Sequence, residues 1–403
     1  DSGQIIEWDG DSWECGVDDQ GAQGAFWSLS GNAGTTAGTH FLGTTDAVSL
    51  TLAVSGTPAL RLAPGEFAPS LIGCAPGNAL ASVVEGATIS GGGSAYAPHS
   101  ATANIATIGG GEGDIASGYG STVAGGSYSV ASADFATIGG GVAQTASGGY
   151  SSIGGGSQNQ ALASFATIAG GGDEDAAYGN LVTDGWGTVG GGRNNQAGDA
   201  GADATSAQYA TVSGGRDNVA AGSSSTIGGG EYISVTANYA TVGGGQHITV
   251  TGSYATVAGG QRITVTHHAA TVGGGQNHTA SGEHATIGGG FSNYALAGWP
   301  TIGGGRNNRA DDGSVVSGGS YNSATGTASV IGGGDRNSAS NFYGVIGGGF
   351  SNSASGMYNT IGGGESISTS ANYASVGLPD RIAHRPVISS GHALISSHTF
   401  CFV

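Results

Sequence analysis

Residues 239–242 read Tyr-Ala-Thr-Val, and the same four residues return at 254–257, fifteen positions on. The Ile or Val that closes this phrase marks a register that runs from Ile89, Ile108 and Val123 to Ile361 and Val376, nineteen anchors in all. Most steps are fifteen residues. The step from Ile302 to Val316 is fourteen, and those after Ile89, Ile168 and Val189 are four, six and eight longer. A short fixed period that survives insertions is the mark of a solenoid, in which each repeat packs only on its neighbours. Fifteen residues are too few for a helical hairpin, so each turn must be mostly strand.

Composition narrows the choice. Glycine supplies 84 of 403 residues, most visibly as a triplet after the anchor, yet Gln261–Thr266 has none, which excludes a collagen triple helix. The 38% hydrophobic content, with β-branched residues in register, argues against disorder. The triplet is expected to be a corner, because glycine accepts positive φ and close backbone approach. No helix follows it, so it does not read as a phosphate cradle. Lysine is absent, and nine Arg face 27 Asp and Glu for a net charge of −18, a surface that repels nucleic acid and anionic membranes. No apolar run reaches the length of a membrane-spanning helix.

Alternation along a strand places the anchor and the Ala two before it on one face. The residues six and eight after the anchor share another. They are Asn and Ala together in eight turns, with Asn159, Asn195, Asn218, Asn293, Asn308, Asn322, Asn337 and Asn352 as the Asn members. In four turns they are both β-branched: Ile233/Val235, Ile248/Val250, Ile263/Val265 and Ile367/Thr369. Paired replacement implies shared packing space, hence an inward ladder of Asn amides able to bond from turn to turn at the spacing of neighbouring strands. The expected fold is all-β: a parallel β-solenoid, or β-roll, of about 19 turns, roughly 90 Å long at the rise of a parallel sheet.

Three residues before the anchor stand Phe135, Tyr150, Phe165, Trp186, Tyr209, Tyr239, Tyr254, Trp299, Tyr343, Tyr358 and Tyr373. By alternation they point outward, and an apolar stripe of that length calls for a partner. The expectation is a lengthwise interface between identical coils; the alternative exchanges inside and outside, so that the rings fill the core. The phrases YATVGGGQHITVTGS, HATIGGGFSNYALAG and YNTIGGGESISTSAN resemble the β-roll repeats in YadA-like heads of trimeric autotransporter adhesins and related repeats of tail-fibre-like secreted proteins. The resemblance covers about residues 85 to 377. It implies a homotrimer of parallel coils, an extracellular location and an adhesive or fibre role. The chain departs from that family in having neither a heptad stalk nor alternating strands suited to a membrane anchor.

Residues 1–84 read as a small β module or cap, with a hairpin from Val48–Val54 and Ala59–Leu62, and GQIIEWDGDSWECG as a strand-turn-strand unit. Residues 378–403 read as a capping or assembly segment, ending the register at Leu378-Pro379. An oxidising compartment would let Cys15 and Cys74 pair; otherwise these two and Cys401 are isolated thiols. Asp173, Glu174, Asp175 and Asp184, in the long insertions, offer oxygen to calcium but match no known loop, so solvated loops are favoured. His247, His267, His268, His278 and His284 fall on different positions of the turn, and no metal is assigned to them. Two acidic residues across a cleft, as glycan hydrolysis needs, are not in evidence, so no catalytic activity is expected. An ice- or mineral-binding solenoid would need a flat outward Thr array, and the Thr before each anchor, as at Thr107 or Thr137, is expected to share its strand face with the rings. The leading expectation is a secreted fibre or adhesin subunit, homotrimeric and able to stack end to end into filaments. A tail fibre that recognises a host surface or its glycans comes second.

Overall fold

The computed structural model describes residues 4–8, 13–17, 33, 35–36, 41–377 apart from 74, 76, 82, 83 and 202, and the pairs 387–388 and 394–395. Residues 1–50 form one compact unit and residues 51–403 another. In the first unit, Gln4–Trp8 and Trp13–Val17 pair antiparallel, with Trp8 opposite Trp13, as the strand-turn-strand reading expects. In the second, Leu50–Val54 pairs with Thr57–Ala63. Ser55 and Gly56 between them take φ of 50° and 75°, the positive pair that a two-residue hairpin turn demands. Cys74 and Cys401 lie outside the described residues, and so does the side chain of Cys15.

From there the chain is the parallel solenoid expected from the repeat. Each standard turn adds one strand to each of two ladders. The first ladder carries the Thr-Ile/Val pair, for example Thr137–Ile138 on Ser152–Ile153 on Thr167–Ile168. The second carries the pair seven and eight residues after the anchor, as Thr145–Ala146 on Gln160–Ala161. All nineteen anchors are buried, as are the alanines facing them. The ladders outrun the span 85–377 at both ends. Ser70–Gly73 pairs antiparallel with Thr57–Ala63 and parallel with Thr88–Ile89, placing Ile72 above Ile89 and joining hairpin to coil. Beyond Val376, Val387–Ile388 and Leu394–Ile395 continue the second and first ladders at a step of nineteen residues, so the register expected to end at Leu378-Pro379 continues past an insertion of four residues.

The strands of a typical turn are only two residues long, and the chain bends three times per turn, with a left-handed residue at each bend. One bend is the third glycine of the triplet: Gly156 has φ of 96°, and a Cβ there would stand 2.0 Å from the carbonyl oxygen of Gly171 in the next turn. No side chain fits that approach. The other two bends are mostly not glycine, although the sequence reading assigned positive φ to glycine alone. They fall five and twelve residues after the anchor, at Asn194, Tyr232 and Arg262 for the one and at Phe135, Tyr150 and Tyr239 for the other.

The inward Asn column forms, with a bonding pattern different from a simple amide-to-amide stack. Asn308 Nδ2 donates to the carbonyls of Gly304 in its own turn (2.9 Å) and Gly319 in the next (3.0 Å), while its Oδ1 accepts the backbone N–H of Asn322 (3.0 Å). The amide therefore ties the glycine corner to the second ladder. Side-chain-to-side-chain bonds occur between Asn218 and Asn195 and between Asn337 and Asn322. The same buried rung holds residues that do not share the Asn-Ala signature: His99, Asp114, Ser129, Gln144, Asn180 and His278. Burial pushes the Asp114 carboxyl above its ordinary range, against the lowering effect of the Ser129 N–H and nearby His99.

Candidate functional site: a ladder of stacked rings

The eleven ring positions read from the sequence all face solvent in the single chain, with exposures from 41% at Phe135 to 62% at Trp299. They do not fill the core. Their outward direction has a different cause from strand alternation: each ring residue sits in a bend, outside the two-residue strand. Phe135 occupies the third position of the turn closed by the Ala136 N–H on the Ala133 carbonyl, with φ of 57°. Its own N–H donates to the Tyr119 carbonyl one turn earlier (2.8 Å), so the ring residue's backbone donor is paired. The Thr column, which lies in the strands, therefore does not share a strand face with the rings, contrary to the expectation from alternation.

A bulky residue in the left-handed region is unfavourable by about 1–2 kcal/mol. Part of this is offset by stacking. From Phe135 through Tyr209, and again at Tyr239–Tyr254, Tyr343–Tyr358 and Tyr358–Tyr373, successive rings lie 4.9–5.3 Å apart and within 16° of parallel. That separation is set by the spacing of strands in the sheet. Stacked pairs contribute about 0.5–1.5 kcal/mol, comparable to the strain.

Three rings escaped the sequence reading. His284 is in register and differs only in residue type. Tyr119 and His268 stand one position earlier, before Gly120 and Ala269, and their rings enter the ladder where the bend residue has none. The ladder thus has three blocks: Tyr119 to Tyr209, Tyr239 to Trp299, and Tyr343 to Tyr373. Ser224 interrupts it once, and Gly313 and Ala328 interrupt it again. The flanking position before each ring is mostly small or neutral, as at Gly149, Ser164, Gly185, Ser253 and Gly298.

The other non-glycine bend carries a different chemistry. Arg193, Arg216, Arg262, Arg306 and Arg336 all lie at this bend or one residue before it. Arg193 covers the Tyr178 ring at 4.0 Å, and Arg306 and Arg336 flank Tyr321. A shallow cleft beside Arg193, lined by Gln160, Leu181, Asn194, Gln196 and Asp217, opens under the first insertion.

The acidic calcium candidates do not converge. Asp173 accepts the Asp175 N–H and pairs with Arg193 Nε at 2.6 Å, and these contacts hold its carboxyl below the ordinary range. Asp175 caps the short 3-10 helix Ala176–Tyr178. Asp184 is buried and takes hydrogen bonds from the N–H groups of Asp199 and Ala207 and the hydroxyls of Thr183 and Ser206. It fastens the second insertion to the coil. Of the histidines, His278 is in the core rung and His247 stacks on Tyr232 at the arginine bend. The expectation that the five scatter fails for His268 and His284, which are neighbours in the ring ladder with centroids 5.6 Å apart.

No protein-family model matches the chain, and no curated protein is significantly similar to it.

Proposed function

We propose that the ring ladder is a lengthwise interface between copies of this chain, and that the chain is a subunit of an extracellular fibre or adhesin in which three parallel coils lie side by side. The observation that carries this reading is the ladder's period. Rings repeating every 4.9–5.3 Å over many turns are matched in spacing by a partner with the same rise, and a second copy has it. Parallel in-register alignment sets every ring opposite its own copy and every gap opposite a gap. An antiparallel alignment would set the six-ring block against the three-ring block. Trimeric state and extracellular placement rest on the family resemblance.

Magnitudes are sufficient. Covering a half-exposed ring is worth roughly 1 kcal/mol, so the eleven rings together reach the scale of the ~4–15 kcal/mol lost in rigid-body freedom on association. The largest block reaches only the lower part of that range, at about 6 kcal/mol, so engagement of the whole edge is expected. The test is sedimentation of the wild-type chain against a variant carrying Tyr150→Ser, Tyr254→Ser and Tyr358→Ser, one change in each block. The wild type is expected to sediment as a trimer, and the variant to dissociate at concentrations on the order of a hundredfold higher, with unchanged circular dichroism. A wild-type chain that stays monomeric at micromolar concentration contradicts the reading.

The arginine bend favours a second reading, a tail-fibre-like chain that binds a host-surface glycan. Guanidinium groups over tyrosine rings beside an amide-lined cleft offer both stacking and hydrogen bonds to a sugar. A glycan array, with Arg193→Ala as control, separates it from the first.

A further inference from the structure

The ring stack leaves its flat arrangement where Tyr119 stands edge-on to Phe135 at 79° and again in the middle block, where Tyr239 and Tyr254 lie nearly flat but His268 is tilted 56° from Tyr254 and His284 stands edge-on to His268 at 72°. The backbone fixes the two histidines together, since the His284 N–H donates to the His268 carbonyl at 2.9 Å. Glu283, next in the chain, brings a carboxylate oxygen to 3.9 Å from His284 Nε2. Among the described residues these three are the one set of His, Cys, Asp and Glu side chains whose ligand atoms all fall within 4.8 Å of one another.

We propose that His268, Glu283 and His284 form a surface site for a divalent transition-metal ion of the zinc class. Two imidazoles and a carboxylate are a donor set that suits zinc, which keeps a water as its fourth ligand when the protein supplies three. Metal–ligand bonds of about 2.0–2.2 Å put tetrahedral ligand atoms roughly 3.4 Å apart. The 3.9 Å separation of the His284 and Glu283 atoms is within about 0.5 Å of that requirement. All three side chains are exposed, so their rotamers are free to close the remainder, while the rung-to-rung hydrogen bond holds the two backbones. The carboxylate also neutralises part of the ion's charge, on a protein whose net charge of −18 attracts cations generally. Ala269 leaves room here: the bend residue has no ring, and His268 turns into the space.

All three ligands belong to one chain, so zinc binding and self-association are read separately; a monomeric chain can still bind zinc, and a trimer can fail to. The test is calorimetric titration of the full chain with Zn2+ at neutral pH, for the wild type, His284→Ala, His268→Ala and Glu283→Gln, with His267→Ala as control. One ion per chain is expected, with affinity lowered by at least about tenfold for each ligand changed and unchanged for the control. Because a substitution in the ladder can disturb the coil, and because association would cover both histidines, the wild type, diluted until it is monomeric, is also modified with diethylpyrocarbonate with and without Zn2+ and mapped by mass spectrometry. Zn2+ is expected to protect His268 and His284 and to leave His247 and His267 reactive. Absence of stoichiometric binding, binding unaffected by the ligand changes, or equal protection of His247 and His267 would each overturn the site.

Discussion

Residues 231–265 and residues 293–352 build the same turn around opposite interiors. In the second region the inward rung is Asn293, Asn308, Asn322, Asn337 and Asn352, each holding two corner glycine carbonyls. In the first it is Ile233, Ile248 and Ile263, all buried. Without the amide, the strand of the second ladder lengthens to five residues, Gln246–Val250 and Gln261–Val265, where the Asn turns have two, as at Arg309–Ala310 and Ser323–Ala324. An amide ladder then appears on the outside: Gln246 donates to Glu231, Gln261 to Gln246 and Gln276 to Gln261. The corresponding outer positions of the Asn region, Arg306, Ser320, Asp335 and Phe350, carry no such amides. A side-chain amide chain runs along the backbone in both regions, inside where the rung is polar and outside where it is apolar.

Where a ring is present, its geometry is the same over both interiors. Tyr239 and Tyr254, over the Ile rungs, have φ of 59° and 60° and stack at 4.9 Å. Tyr343 and Tyr358, over the Asn rungs, have φ of 55° and 59° and stack at 5.0 Å. A strained, half-exposed ring kept over both interiors answers to something other than the interior, which agrees with a partner on that edge.

The contrast can be broken from the polar side. Asn308→Ile imports the apolar rung into the Asn region, removes three hydrogen bonds and strands the buried Asn322 N–H. At about 1–3 kcal/mol for an unsatisfied buried group, the turn should lose about 3 kcal/mol. The direct readout is hydrogen exchange: protection of the Asn322 amide is expected to fall while that of Val250, in the other region, holds.

A smaller effect is expected where the two regions meet. His278 follows the Ile rungs and precedes Asn293, whose N–H its Nδ1 accepts at 3.1 Å. Burial holds its pKa below the ordinary 6.5. A base with a depressed folded value contributes its stability above the ordinary value, and that stability is lost as pH falls from 6.5 toward the folded value, because there the unfolded chain binds more protons. His278→Asn extends the amide spine by one rung. It is expected to add about 1 kcal/mol near neutral pH and to flatten the melting temperature between neutral pH and pH 5. An unchanged acid slope would show that another group carries it.

Much of this was legible in the sequence, because a solenoid repeats each environment and so displays it many times. The anchors, the Asn-Ala pair and the ring column are positions in a register, and any one turn suffices to place them. The rung residues Asp114, Ser129, Gln144 and His278 stand in the same register, six after the anchor, and were missed because the residue type changes while the polarity stays. The left-handed bends were hidden for a physical reason: phenylalanine or tyrosine at positive φ contradicts local propensity, and only the neighbouring turns, through stacking and backbone bonds, make it tolerable. Tyr119 and His268 slipped by one position for the same cause, a small residue having taken the bend. The roles of Asp173 and Asp184 depend on insertion loops that occur once each, where no repetition helps.

The most direct test of parallel, in-register association is a thiol cross-link at one rung. The variant Tyr254→Cys, treated with a short bis-maleimide and mapped by mass spectrometry, should yield chains joined at residue 254 to residue 254. A chain that remains unlinked, or that links residue 254 only to the native cysteines at 15, 74 and 401, would contradict the lengthwise interface.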